Sequence, residues 1–115
     1  MSCMGQYKQW EIWKARVYHD DDNGFEDRPV VVISEDELIV LALKITTHGH
    51  SGKVRPLEYE IFNLEPTGLD KGSVIQCDKY HRLPKANMSD IRYGRLSSAD
   101  IVHLQVLMKY HGLLQ

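Results

Sequence analysis

Apolar and polar residues alternate from the start of the chain. Over Trp10–Tyr18, Trp13, Ala15 and Val17 fall on one side, and Lys14, Arg16 and Tyr18 on the other. A period of two predicts a half-buried strand. His19–Asp27 holds three consecutive aspartates and then Asn23-Gly24, a turn signal, and reads as a loop. Pro29–Ser34 is a β-branched run, with Pro29 expected at the strand's first position, where a missing N–H breaks no ladder. An acidic connection over Ser34–Glu37 leads into Leu38–Ile45, a strand expected to be buried on both faces. Thr46–Pro56 is polar, contains Gly49 and Gly52, and reads as a loop. Leu57–Phe62 predicts a short strand and Glu65–Gly72 a turn-rich connection. Ser73–Lys79 predicts another strand, with Val74, Gln76 and Asp78 on one face and Ile75 and Cys77 on the other. Tyr80–Leu83 extends the sheet as far as Pro84. The period then changes: Ser97 and Asp100 form a capping-box variant, Ile101, Leu104, Leu107 and Met108 follow at helical spacing, and Gly112 stands at a C-cap position. A helix is expected over 98–111, closing a mainly β barrel or sandwich.

Composition narrows the class. With 115 residues, 43% of them hydrophobic, the chain is expected to be one domain with its own core. No apolar run approaches the roughly 20 residues of a membrane span, and Met1–Tyr7 lacks the apolar stretch of a secretory signal. A cytoplasmic location is expected, with Met1–Gln6 flexible. The cysteines, Cys3 and Cys77, are expected to be reduced, with Cys77 buried. The net charge of −2 argues against a general DNA-coating protein. Its distribution is uneven. Asp20–Glu37 holds eight acids and one base, Lys44–Arg55 three bases and two histidines without an acid, and Lys79–Arg95 five bases against one acid. Basic segments that converge on one face could bind a polyanion.

The common nucleotide and metal motifs are absent from the sequence. His48-Gly49-His50 lacks the further ligands a metal site needs and reads as a pair of loop histidines. Pro29 biases Arg28 toward an extended conformation, presenting a guanidinium where the acidic loop meets the sheet; the alternative is an arginine that neutralises Glu26 and Asp27. Thr46-Thr47 ends a strand beside the basic loop, where two hydroxyls could donate to phosphate oxygens, although β-propensity also explains them. Asp78 lies in an apolar strand and must be exposed or paired.

The order of these segments carries a resemblance. An N-terminal Glu11-Ile12-Trp13 strand is followed by an acidic loop ending in Arg28-Pro29-Val30-Val31-Val32-Ile33, and by a strand ending Lys44-Ile45-Thr46-Thr47. Then come Gly68-Leu69, Ser73-Val74-Ile75-Gln76-Cys77-Asp78-Lys79, and Tyr93-Gly94-Arg95-Leu96-Ser97 before a closing helix. Over about residues 9–112 this succession resembles the PemK/MazF toxins of toxin–antitoxin systems. The resemblance implies a small SH3-like β-barrel with a C-terminal helix, a homodimer, and a metal-independent endoribonuclease without cofactor that cuts single-stranded RNA. It also implies a cognate antitoxin that occupies the RNA groove. By the same resemblance Arg28, Thr46 and Asp78 are the catalytic set, with Thr47 in the following hydroxyl position. Where many members have Arg two residues before the Asp, this chain has Gln76, which can hydrogen-bond but carries no charge.

The implied chemistry suits these residue types. RNA is cleaved when its 2′-OH attacks the neighbouring phosphorus, which requires a base, an acid and donors for the developing charge. A bidentate arginine fits the phosphate. Because its pKa exceeds ~12, electrostatic stabilisation suits Arg28 better than a role as general base. Thr46 is a second phosphate donor, Asp78 a supporting or basic residue, and Thr47, His48 and Gln76 substrate contacts. Phe25, Lys79 and His81 are further candidates for holding unstacked bases and backbone. The alternative is a non-catalytic barrel of the same fold that binds a protein target, as the related CcdB toxins bind DNA gyrase. A generic SH3-like module is disfavoured by the lack of an aromatic-rich groove.

Overall fold

The computed structural model describes residues 6–18, 24–47 and 58–110. Its elements are β1 (Glu11–Tyr18), β2 (Phe25–Glu35), β3 (Ile39–Thr47), β4 (Glu58–Glu60), β5 (Ser73–Gln76), β6 (His81–Pro84), β7 (Met88–Arg95) and α1 (Ser98–Tyr110), with 3-10 turns at Glu65–Thr67 and Lys85–Asn87. The strands form one seven-stranded antiparallel sheet in the order β4-β5-β3-β2-β1-β7, with β6 also paired to β3. The fold is mainly β with one C-terminal helix, as expected. The ladder is not closed: β4 and β7 are its two ends.

Alternation along the central strands separates two apolar clusters. Ile12, Val31, Ile33, Leu43 and Ile45 pack on one face with Leu96 and with Leu104 and Met108 of α1. Trp13, Ala15, Val17, Val30, Val32, Val40 and Ala42 face the other way, where Tyr7, Leu83 and Met88 cover them. β3 is therefore buried on both sides. Burial of a Val, Leu or Ile side chain contributes about 1.5–3 kcal/mol, so two apolar faces along β2 and β3 anchor these strands firmly.

Several boundaries differ from the expected ones, for local reasons. Phe25–Asp27 belong to β2 rather than to a loop, because Tyr18, Val17 and Arg16 of β1 pair with Phe25, Glu26 and Asp27. Pro29 is consequently inside β2, opposite Lys14, and not at its start. The β2–β3 turn is shorter than expected: Ser34 and Glu35 are strand residues, and the Asp36 carboxylate accepts the N–H groups of Leu38 and Ile39 at 2.8 and 2.7 Å. Thr46 and Thr47 belong to β3. The expected strand over Ser73–Lys79 stops at Gln76, and β6 is a separate strand on β3, paired at Ile39–Ala42 where β5 pairs at Ile45–Thr47. β7 has no counterpart among the expected strands: its sequence MSDIRYGR is half exposed, with one buried residue, and shows no alternation. Cys77 is buried. Cys3, His48, His50 and Gly112 lie outside the described residues, as does all of Met1–Gln6 except Gln6.

Candidate functional site

A cleft of about 310 Å³ opens where β3 changes partners. The β2–β3 register ends at Val30–Lys44, and from Ile45 to Thr47 β3 pairs with β5 instead. Pro29, which has no N–H to offer a ladder, is the β2 residue at this parting. The walls are Arg28 and Pro29 from β2, Ile45, Thr46 and Thr47 from β3, Ser73 of β5, the turn from Gly68 to Lys71, and Tyr93 of β7.

The turn reaches β7 because two glycines permit it. Gly68 adopts φ 73°, a left-handed conformation that closes the Glu65–Thr67 turn. A Cβ on Gly68 would sit inside the Tyr93 carbonyl, and one on Gly94 inside the Pro66 carbonyl. Backbone thus packs against backbone, and Tyr93 is set opposite the β2–β3 wall.

Arg28 and Thr46 share a face of the sheet by strand periodicity: each is two residues from the Val30–Lys44 pair, at the end away from the β2–β3 turn. Glu26 and Lys44 lie on the same face. The Arg28 Nε donates to Glu26 Oε2 at 3.1 Å, while Lys44 Nζ lies 3.1 Å from Glu26 Oε1. Burial raises the pKa of Glu26, but the hydrogen bonds and charges of Arg28 and Lys44 outweigh it and hold the carboxyl below its usual value. Of the two acids expected to neutralise Arg28, Glu26 pairs with it, whereas Asp27 lies 3.6 Å from Arg16 on the opposite face. Lys71 and Asp70 add one charge of each sign to the cleft wall.

Of the residues singled out from sequence, Arg28, Thr46 and Thr47 come together here. Gln76, at the end of β5, is half-buried and pairs in register with Glu58. Asp78 is exposed just beyond it, Lys79 is half-buried in the link to β6, and His81 is the half-buried first residue of β6; none of these lines the cleft. Phe25 is exposed on the outer face of the β1–β2 hairpin, with the Arg16 guanidinium 4.0 Å over its ring and Tyr18 edge-on to it. His48 lies outside the described residues. Tyr93, Lys71 and Asp70 also line the cleft, and no sequence motif assigns them a role. The Gly-Leu and Tyr-Gly pairs beside them were the available signal, since an obligatory glycine marks close backbone approach.

The sequence profile of the PemK-like, MazF-like toxins of type II toxin–antitoxin systems matches residues 8–109. No curated protein sequence matches the chain. Among solved structures, an endoribonuclease from a mycobacterial species is 17% identical, with TM-score 0.70 over 99% of both chains. Mycobacterium tuberculosis toxin MazF-mt6 is 20% identical, with TM-score 0.66 over 91% of this chain and 98% of that one. A mycobacterial endoribonuclease in complex with its cognate antitoxin is 17% identical, with TM-score 0.67 over 93% and 95%.

Proposed function

The chain belongs to the PemK-like, MazF-like toxins of type II toxin–antitoxin systems, and from that premise we propose that it is a metal-independent endoribonuclease acting on single-stranded RNA. The observation that carries the reading is the meeting of Arg28, Thr46 and Thr47 on the walls of one cleft. In the proposed reaction the 2′-oxygen of one nucleotide bonds to the adjacent phosphorus as the bond to the 5′-oxygen breaks. The 2′-OH proton leaves to a base, and the departing 5′-oxygen gains a proton. The products are a 2′,3′-cyclic phosphate and a free 5′-OH. Arg28 stabilises the charge that grows on the phosphate oxygens, and Thr46 donates a second hydrogen bond to them. Its Nε bond to Glu26 leaves the terminal amino groups of Arg28 as donors. Thr47 and Lys71 contact the neighbouring backbone. Asp78, outside the cleft wall, keeps a supporting role with Gln76, Lys79, His81 and Phe25 as contacts for flanking nucleotides. A homodimer and an antitoxin partner complete the reading; a related endoribonuclease has been solved with its cognate antitoxin.

Incubating the purified chain with a long single-stranded RNA in EDTA, beside Arg28→Ala, tests this. Discrete fragments with cyclic-phosphate ends are expected, reduced at least about a hundredfold in the variant, the usual effect of deleting an electrostatic donor. Intact RNA with folded protein would remove the enzyme reading. The alternative of a non-catalytic barrel that binds a protein would then lead, favoured by the uncharged Gln76 and by the Glu26–Arg28 pair.

A further inference from the structure

The Glu26 carboxylate is bonded at one oxygen to Arg28 and at the other to Lys44, both at 3.1 Å. Lys44 begins opposite Val30, and Glu26 lies four residues along β2, roughly 13 Å away at strand rise. The Lys44 and Glu26 side chains therefore lean toward each other along the strands and meet near the level of Arg28 and Thr46. The bridge ties β2 to β3 across the parting where their backbone ladder has ended. Neither Glu26 nor Lys44 lines the cleft, whereas Arg28 does.

We propose that Glu26 is a positioning residue that fixes the Arg28 guanidinium through its Nε, and that Lys44 keeps this arrangement cationic. A lone carboxylate on Arg28 would orient it and cancel its charge together. With two cations on one carboxylate, orientation and a net positive charge coexist, so the cluster still attracts a phosphate. Gln76 stands across β5, one register step beyond the Ile45–Ile75 pair and beside Lys44. Gln76 brings no charge to this position, and Arg28 and Lys44 supply theirs from β2 and β3.

The proposal rests on the endoribonuclease reading, and the experiment separates the two. RNA cleavage gives kcat and KM, and binding of a single-stranded DNA oligonucleotide, which lacks the attacking 2′-OH, is followed against salt. The proteins are the full chain and Glu26→Ala, Glu26→Gln, Lys44→Gln and Arg28→Ala, each checked for folding by thermal melting. Glu26→Ala is expected to lower kcat roughly ten- to hundredfold, the effect of a misplaced catalytic group. Glu26→Gln, which keeps an acceptor for Arg28, is expected to recover most of that loss. Lys44→Gln is expected to raise KM with little change in kcat, and to make the salt slope of DNA binding shallower by about 0.7. If the folded wild-type chain leaves RNA intact, the enzyme reading fails and this inference with it; if it cleaves RNA and Arg28→Ala alters neither cleavage nor binding, the enzyme reading stands and the positioning proposal is overturned. If Arg28→Ala abolishes cleavage while Glu26→Ala and Lys44→Gln behave as the wild type, only the positioning proposal is overturned. Equal losses in Glu26→Gln and Glu26→Ala would overturn it too.

Discussion

At the residue scale, a carboxylate held by four donors lies outside the cleft. Asp100 is fully buried. Its carboxylate accepts the Tyr59 hydroxyl at 2.6 Å, the Phe62 and Asn63 N–H groups at 2.8 and 3.0 Å, and the Ser97 hydroxyl at 2.9 Å. The Asp100 N–H in turn donates to Ser97 Oγ at 3.1 Å, which closes the helix cap. Burial raises the pKa of Asp100, yet the donors together overcome it and hold the group below its usual value. The same contact, with burial as the larger influence, pushes the Tyr59 phenol upward. The spacing of Ser97 and Asp100 made the cap legible in sequence. The other donors were not, because they arrive from nearly 40 residues away through β4 and the segment after it. Asp100→Asn replaces an acceptor-only group with one whose NH₂ confronts donors. It is expected to lose about 2–4 kcal/mol of stability, and Tyr59→Phe about 1–2 kcal/mol. Urea unfolding of the two variants measures both losses, and a neutral Asp100→Asn would show that the four donors find other partners.

At the element scale, strands with a buried face could be read and those without one could not. β1, β2 and β3 each present alternating or continuous apolar residues because each lies between neighbours. β7 is an end strand, with an exposed run from Asp90 to Arg92, so no apolar period announces it. Its pairing with β1 also shifts register twice, between Ile12 and Trp13 and between Trp13 and Ala15, which erases alternation further. What fixes β7 against the cleft is the glycine contact rather than side-chain burial. Gly68→Ala and Gly94→Ala each place a methyl group into a carbonyl of the facing segment, and Gly68→Ala must also hold a left-handed φ. Each is expected to cost at least about 1–2 kcal/mol and to raise hydrogen exchange at Tyr93 and Leu69 ahead of the core strands. Exchange unchanged at those amides, with stability also unchanged, would mean that the turn does not lean on β7. The site's convergence was hidden for a related reason. Arg28 and Thr46 are 18 residues apart, and whether they meet depends on the register of β2 on β3, which composition does not encode. From sequence, Pro29 fits a strand start because its missing N–H suits one. It sits mid-strand, where that same lack coincides with the parting of the two strands.

At the scale of the whole molecule, four carboxylates among the described residues share one electrostatic habit. Asp100, Glu11, Glu26 and Asp36 all have their pKa lowered in the fold. In the first three, burial acts upward and is outweighed by hydrogen bonds and cations: from Lys8, Trp13 and Arg92 at Glu11, and from Arg28 and Lys44 at Glu26. At Asp36 the N–H groups of Leu38 and Ile39 dominate. Between the lowered values and the ordinary ones, 3.8 for Asp and 4.5 for Glu, the unfolded chain binds more protons than the folded one. Stability therefore rises with pH across that window and is fully present above it. The urea midpoint is expected to change little on these groups' account from neutrality down to about pH 5, and to fall as pH passes through and below their ordinary values. Asp100→Asn supplies the internal control. It has no carboxylate to protonate, so its deficit against the wild type is expected to be constant above about pH 5 and to narrow in acid, as the wild type loses the charge that its four donors stabilise. A deficit that stays the same from neutrality to acid would mean that Asp100 contributes shape and not charge, and acid lability would then arise at other carboxylates, Glu11, Glu26 and Asp36 among them.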